Sequence, residues 1–305
     1  MTDFFQAARP FDPTTLRAIR EAVRGNVERF EPPSEADREL LDLVETPYGT
    51  AESAAERLTE LEAALRERGD RRAVFLTIYV DMTRVVHDGI EAGRFDDPAW
   101  MREYLVTFAN YYRRAFNAFE RGDVDAVPDP WRVAFGSAVA GENLLMQDAF
   151  LGVNAHINYD LALTLEDVGI DPNRSQKYAD HSAIDGILAR LVDAQQEALA
   201  DVYAAGIDDV DAVFGRLDET LTLRSMTEGR EQAWRIAVVH TDTSLPPVRS
   251  VAHWILRVTA TGGAFVVLSS HLDLEVHRTL RQIETEGIPL EEILDRIHDR
   301  VADRR

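Results

Sequence analysis

The fold class turns on the stretch Arg71–Gly93, RRAVFLTIYVDMTRVVHDGIEAG. Its Val, Ile and Thr content is what a strand would use. Its length, and its lack of a sustained in-out alternation, favour a long and largely buried helix that stops at Gly93. The flanking segments read the same way. Asp12–Phe30 opens on Asp12 and Pro13, a capping residue followed by a first-turn proline. Thr50–Gly69 carries apolar residues at helical spacing and ends on glycine. Asp96–Gly122 begins Asp-Asp-Pro and also ends on glycine. Further helices are expected near 131–167, 176–205, 208–217, 219–242, 247–259, 264–285 and 289–303.

The expected architecture is therefore all-α, a multi-helix bundle with long buried central helices. Residues 1–70 are more charged and read as a peripheral N-terminal helical segment. Residues 71–305 read as the main helical domain, with its core at roughly 71–242. No repeat period, long Ser/Gly linker or low-complexity tract interrupts the chain.

Composition narrows the function classes. The chain has 305 residues, 54 acidic against 33 basic, and a formal charge of −21. The basic residues are almost all arginine, since Lys177 is the only lysine. Acid excess with depleted lysine fits a protein of haloarchaeal type, where carboxylates keep the surface hydrated and salt screens their repulsion; an acidic mesophilic protein from a high-GC genome is the plainer alternative. Such a charge argues against nucleic-acid binding and against an anionic membrane surface. The absence of cysteine excludes disulfides, thiolate metal sites and cysteine nucleophiles. The N-terminus shows no signal-peptide pattern, and the apolar run TGGAFVVLSS is too short to span a bilayer. A cytoplasmic location is expected.

Candidate chemistry centres on Leu151–Asp167, LGVNAHINYDLALTLED, with four polar residues, Asn154, His156, Asn158 and Asp160, within seven positions. On a single helix from Ser137 to Glu166, His156 and Asp160 stand at i and i+4, and Glu142 falls on the same face. That set is a candidate for one divalent metal ion. Asn154 and Asn158 form a second i,i+4 pair on another side, suited to a ligand or to neighbouring backbone groups. Gly152 permits a close approach one turn earlier. Asp180, His181 and Asp185 open the next helix and could pack back against this one. Asp180 and Glu231 are candidates for the catalytic base, although a helix-end or surface role is the plainer reading of both. Asn110, Tyr112 and Trp234 are candidates for substrate contacts, with a structural amide and core packing as the plainer readings.

No Gly-x-Ser-x-Gly elbow, Walker loop, dinucleotide fingerprint or His-Glu-x-x-His occurs. The double aspartate before Pro98 suits a helix cap better than a magnesium-binding cluster of a terpenoid synthase.

The segments FDDPAWM, FANYY, LGVNAHINYDLAL, the Asp180 region and REQAW occur in an order that resembles an uncharacterised family, domain of unknown function 5995. The resemblance covers roughly residues 70–240, and NAHINYDL is its most specific part. It implies an α-helical protein and no particular activity. It also implies Asn where this chain has Asp185. A looser chemical likeness links the His-x-x-x-Asp pair to part of the metal site of zinc-dependent phospholipase C and related nucleases.

Three readings stay open. The first is a metal-dependent hydrolase in which the metal activates a water and a spare carboxylate acts as base. The second is a non-catalytic binding protein for a small apolar or isoprenoid-like ligand, with Tyr111, Tyr112, Phe116 and Trp234 lining its pocket. The third is a structural protein with a buried polar network that fixes helix register. The expected partner is a small-molecule ligand or substrate, with homo-oligomer assembly also allowed.

Overall fold

The computed structural model describes residues 13–204, 223–243, 245–269 and 274–303. These form thirteen α-helices and, among the described residues, no strand. They are α1 (Pro13–Arg24), α2 (Arg38–Val44), α3 (Ala51–Glu67), α4 (Ala73–Glu91), α5 (Pro98–Glu120), α6 (Asp129–Ala140) and α7 (Leu145–Ala155). After a π-helical turn, His156–Asp160, come α8 (Leu161–Val168), α9 (Arg174–Ala204), α10 (Leu223–Asp242) and α11 (Pro246–Leu268). The last are α12 (Leu274–Gln282), a second π turn at Ile283–Gly287, and α13 (Leu290–Ala302). The cap at Asp12 and the helix expected at 208–217 lie outside the described residues.

Local chemistry explains most boundaries. Thr50 and Ser53 cap α3 reciprocally, each side chain taking the other's backbone N–H. Asp97 caps α5 through the Trp100 amide, and Pro98 fills the first turn, where no amide partner is needed.

Several expected boundaries differ: α1 stops at Arg24 short of Phe30, and residues 264–285 divide between α11, which ends at Leu268, and α12, which starts at Leu274. The single helix from 131 to 167 is two helices, because Gly141 sits in the left-handed region at φ 65° and closes α6 with its N–H on the Ser137 carbonyl. Conversely, the expected break between 259 and 264 is absent, and α11 runs through Thr261-Gly-Gly to Leu268. Glycine costs helix propensity there, yet Gly263 admits the side chain of Asn154, whose Oδ1 would lie 2.5 Å from an added Cβ. Asn154 Nδ2 in turn donates to the Ala260 carbonyl. Uninterrupted, α11 is long and apolar enough by length and composition to cross a membrane. In this fold it packs against α1, α6 and α7.

α4 and α5 lie at the centre. α3, α7 and α13 cover α4, while α2 and α8 cover α5. α10 lies over α8 and the π turn. Trp131, Tyr112, Phe116, Phe119, Leu76 and Met101 are among the fully buried side chains. Leu58, Leu61 and Leu65 of α3 are equally buried. They belong to the same buried cluster as the side chains of α4 and α5.

Candidate functional site

The π turn brings the polar residues of the quoted segment into the interior. Within the turn His156 and Asp160, at i and i+4, stand side by side, with Nδ1 2.9 Å from Oδ2. Thr164 donates its hydroxyl to the Asp160 carbonyl within the same segment. Trp131 Nε1 donates to the same Asp160 Oδ2 at 2.7 Å. The His156 ring stacks on Phe108 and meets Tyr79 edge-on, with centroids 4.4 Å apart. Burial raises the Asp160 carboxyl well above the carboxylate range and holds His156 well below the usual imidazole range. Both directions keep the pair without net charge. His156 Nε2 is buried with no hydrogen-bond partner, as are the hydroxyls of Tyr112 and Tyr48.

Glu142 does not join this pair. It is exposed in the loop between α6 and α7, because the helix that would have aligned it with His156 is broken at Gly141. Among the described residues no third His, Asp or Glu completes an ion-sized set with His156 and Asp160.

The asparagines bind helices together. Asn158 Nδ2 donates to Asn154 Oδ1 at 3.0 Å. Gly229 on α10 leaves room for Asn158, whose Oδ1 would lie 2.1 Å from an added Cβ. Asn110 holds the Tyr48 backbone at both its N–H and its carbonyl. Asp180 accepts the backbone N–H groups of Asp96 and Asp97, both at 2.7 Å, one on each carboxylate oxygen. Glu231 lies near the surface and accepts from Tyr178 and Arg235. Tyr112 lies in the aromatic core, and Trp234 packs between Tyr178 and His181.

A partly open pocket does lie beside this assembly, but other residues line it. Tyr79, Met82, Thr83 and Val86 form one wall on α4, and Met101, Tyr104, Leu105 and Phe108 form the opposite wall on α5. Ile157 of the π turn, Ile184 of α9 and Arg230 of α10 complete it. Each wall is an i, i+3, i+4, i+7 stripe. The two stripes are visible in the sequence; that they face a common space is not. Tyr111, Tyr112, Phe116 and Trp234 are not among the lining residues.

Polar chemistry gathers at Arg230. Its Nε donates to Asp185 at 2.6 Å and an Nη donates to the His181 carbonyl. Tyr104 Oη lies 2.9 Å from His181 Nδ1, and His181 Nε2 lies 3.3 Å from the Arg230 carbonyl. A carbonyl only accepts, so the proton sits on Nε2 and the Tyr104 hydroxyl donates to Nδ1. Burial and the nearby guanidinium keep His181 neutral, and burial pushes the Tyr104 phenol up to about 12. Asp185, where the resemblance implied Asn, thus gives Arg230 its counter-charge.

A family model described as "Family of unknown function (DUF5995)" matches residues 51–269. No curated protein and no solved structure matches the chain.

Proposed function

We propose that this chain, which belongs to the DUF5995 family, is a helical binding protein for a small, mostly apolar ligand that carries one anionic or hydrogen-bond-accepting group. The observation that carries this reading is the pocket between the α4 and α5 stripes with a buried arginine in its wall. Small-molecule sites pair apolar walls with a few fixed polar groups, and these walls do the same. A guanidinium has five N–H donors, and Asp185 and His181 leave some of them for a ligand. The Tyr104–His181 pair keeps the wall polar at the same point.

A hydrolase built on His156 and Asp160 has weaker support. Both are enclosed by aromatic rings, and the proposed bases Asp180 and Glu231 are engaged elsewhere. The buried network reading accounts for Asn110, Asn154 and Asn158 and is compatible with ligand binding.

The test is titration with 1-anilinonaphthalene-8-sulfonate, an apolar fluorophore bearing one anion. Saturable one-to-one binding is expected in the wild type. Met82→Trp, which fills the pocket from a half-buried position, should weaken binding at least tenfold without lowering the melting temperature. Equal binding by both proteins would exclude this pocket as the site.

A further inference from the structure

We propose that Glu166, His240 and His253 form a binding site for one divalent transition-metal ion of the zinc type, separate from the apolar pocket. The three residues come from three helices. Glu166 is in the last turn of α8, His240 is near the end of α10, and His253 is in the first half of α11. One ligand atom from each lies within 4.8 Å of the other two. His240 Nδ1 is 2.7 Å from Glu166 Oε1, and His253 Nε2 is 2.8 Å from Glu166 Oε2. The two imidazole centroids are 4.4 Å apart.

The second observation is the state of His240. Its side chain is 1% exposed, yet neither ring nitrogen has a hydrogen-bond partner. Nδ1 is close to the carboxylate but not in line with a hydrogen bond. Buried imidazoles rarely leave both nitrogens unsatisfied. A metal ion accepts a lone pair at Nδ1 without needing a proton there, and this would resolve the misalignment.

The donor set suits the ion. Two imidazoles and one carboxylate are a familiar zinc combination, with the fourth position open to water. Zinc–nitrogen and zinc–oxygen distances of about 2.0–2.2 Å put neighbouring ligand atoms ~3.3 Å apart in a tetrahedron. To reach that geometry the nitrogen–oxygen contacts of 2.7 and 2.8 Å open by roughly half an ångström, and ligand atoms now as much as 4.8 Å apart draw together. Arg249 also donates to Glu166 Oε1. It is half-exposed, so it can remain as an outer partner of the carboxylate or withdraw to solvent when an ion takes its place.

The test uses the full chain, stripped with chelator and titrated with zinc chloride by calorimetry, with the melting temperature recorded before and after. The wild type should bind one zinc per chain and melt higher. His253→Ala changes an exposed side chain. It should fold normally, weaken zinc binding at least tenfold and abolish the thermal shift. His87→Ala, outside the cluster, should behave as wild type. No stoichiometric zinc in the wild type, or equal binding by His253→Ala, would overturn the site.

Discussion

The imidazole of His156 lies flat on the phenyl ring of Phe108, with centroids 3.6 Å apart and planes 6° from parallel. The residue that marks the sequence as chemical is thus a rigid plate between the π turn and α5. Only Nδ1 is engaged, on Asp160. His156→Ala would remove the plate and leave Asp160 without that partner. The expected cost is about 3–4 kcal/mol of unfolding free energy, from the cavity and the unpaired carboxyl together. Urea unfolding measures it. Zinc uptake by the same variant should be unchanged, since the ion is assigned to Glu166, His240 and His253. A His156→Ala protein of native stability that lost zinc would return the metal to the π turn.

Lys177 is the only lysine, and it is buried. Its ammonium donates to the carbonyls of Gly169 at 3.1 Å and Asp171 at 3.2 Å, and it lies 5.6 Å from the centroid of the Trp100 ring. A compact donor fits between two carbonyls where a planar guanidinium does not. Lys177→Arg is therefore expected to destabilise by roughly 1–3 kcal/mol despite its conserved charge. Neutral or improved stability by thermal melting would show that only charge matters at this position.

The sequence carries the helix inventory well because its punctuation is chemical. Asp97-Pro98 and Thr50 start helices, and Gly69, Gly93 and Gly122 end them at positive φ. Two junctions depended on tertiary context. Gly141 breaks a helix by adopting the left-handed conformation, whereas Gly262 and Gly263 do not, because Asn154 occupies the space that Gly263 leaves. The His156–Asp160 contact was legible from i,i+4 spacing. Its enclosure by Phe108, Tyr79 and Trp131 was not, since those residues come from three other helices. The Glu166–His240–His253 cluster escaped for the same reason: its members are separated by 74 and 13 residues, and no local spacing rule connects them.

The charge of −21 makes a salt prediction. At 0.1 M salt, repulsion between like surface charges reaches about 10 Å, and at 1 M about 3 Å. Raising potassium chloride from 0.1 to 2 M should relieve ~2–3 kcal/mol of repulsion and raise the melting temperature by roughly 5–10 °C. A flat or falling melting temperature would remove the reading of the composition as an adaptation to high salt.

The last helix is clamped by a titratable group, which makes stability depend on pH in a defined window. His298 on α13 places Nδ1 2.9 Å from Asp81 Oδ2 on α4 and Nε2 3.4 Å from Glu62 Oε1 on α3. Both carboxylates are buried. Thr77 and Arg66 also face Glu62, and Arg84 faces Asp81. Hydrogen bonds to Asp81 and then Glu62 outweigh burial and raise the imidazole from 6.5 to about 9. The folded value exceeds the unfolded one, so protonation favours folding. The contribution is complete below pH 6.5 and is lost as pH rises through about 9. Solvent screening at this half-buried position limits it to roughly 1–2 kcal/mol. His298→Gln should therefore be less stable than wild type at pH 6 and nearly equal to it at pH 9.5, by urea unfolding at each pH. Groups common to both proteins cancel in the difference. If that difference stayed constant from pH 6 to 9.5, His298 would be holding α13 by packing and not by its charge.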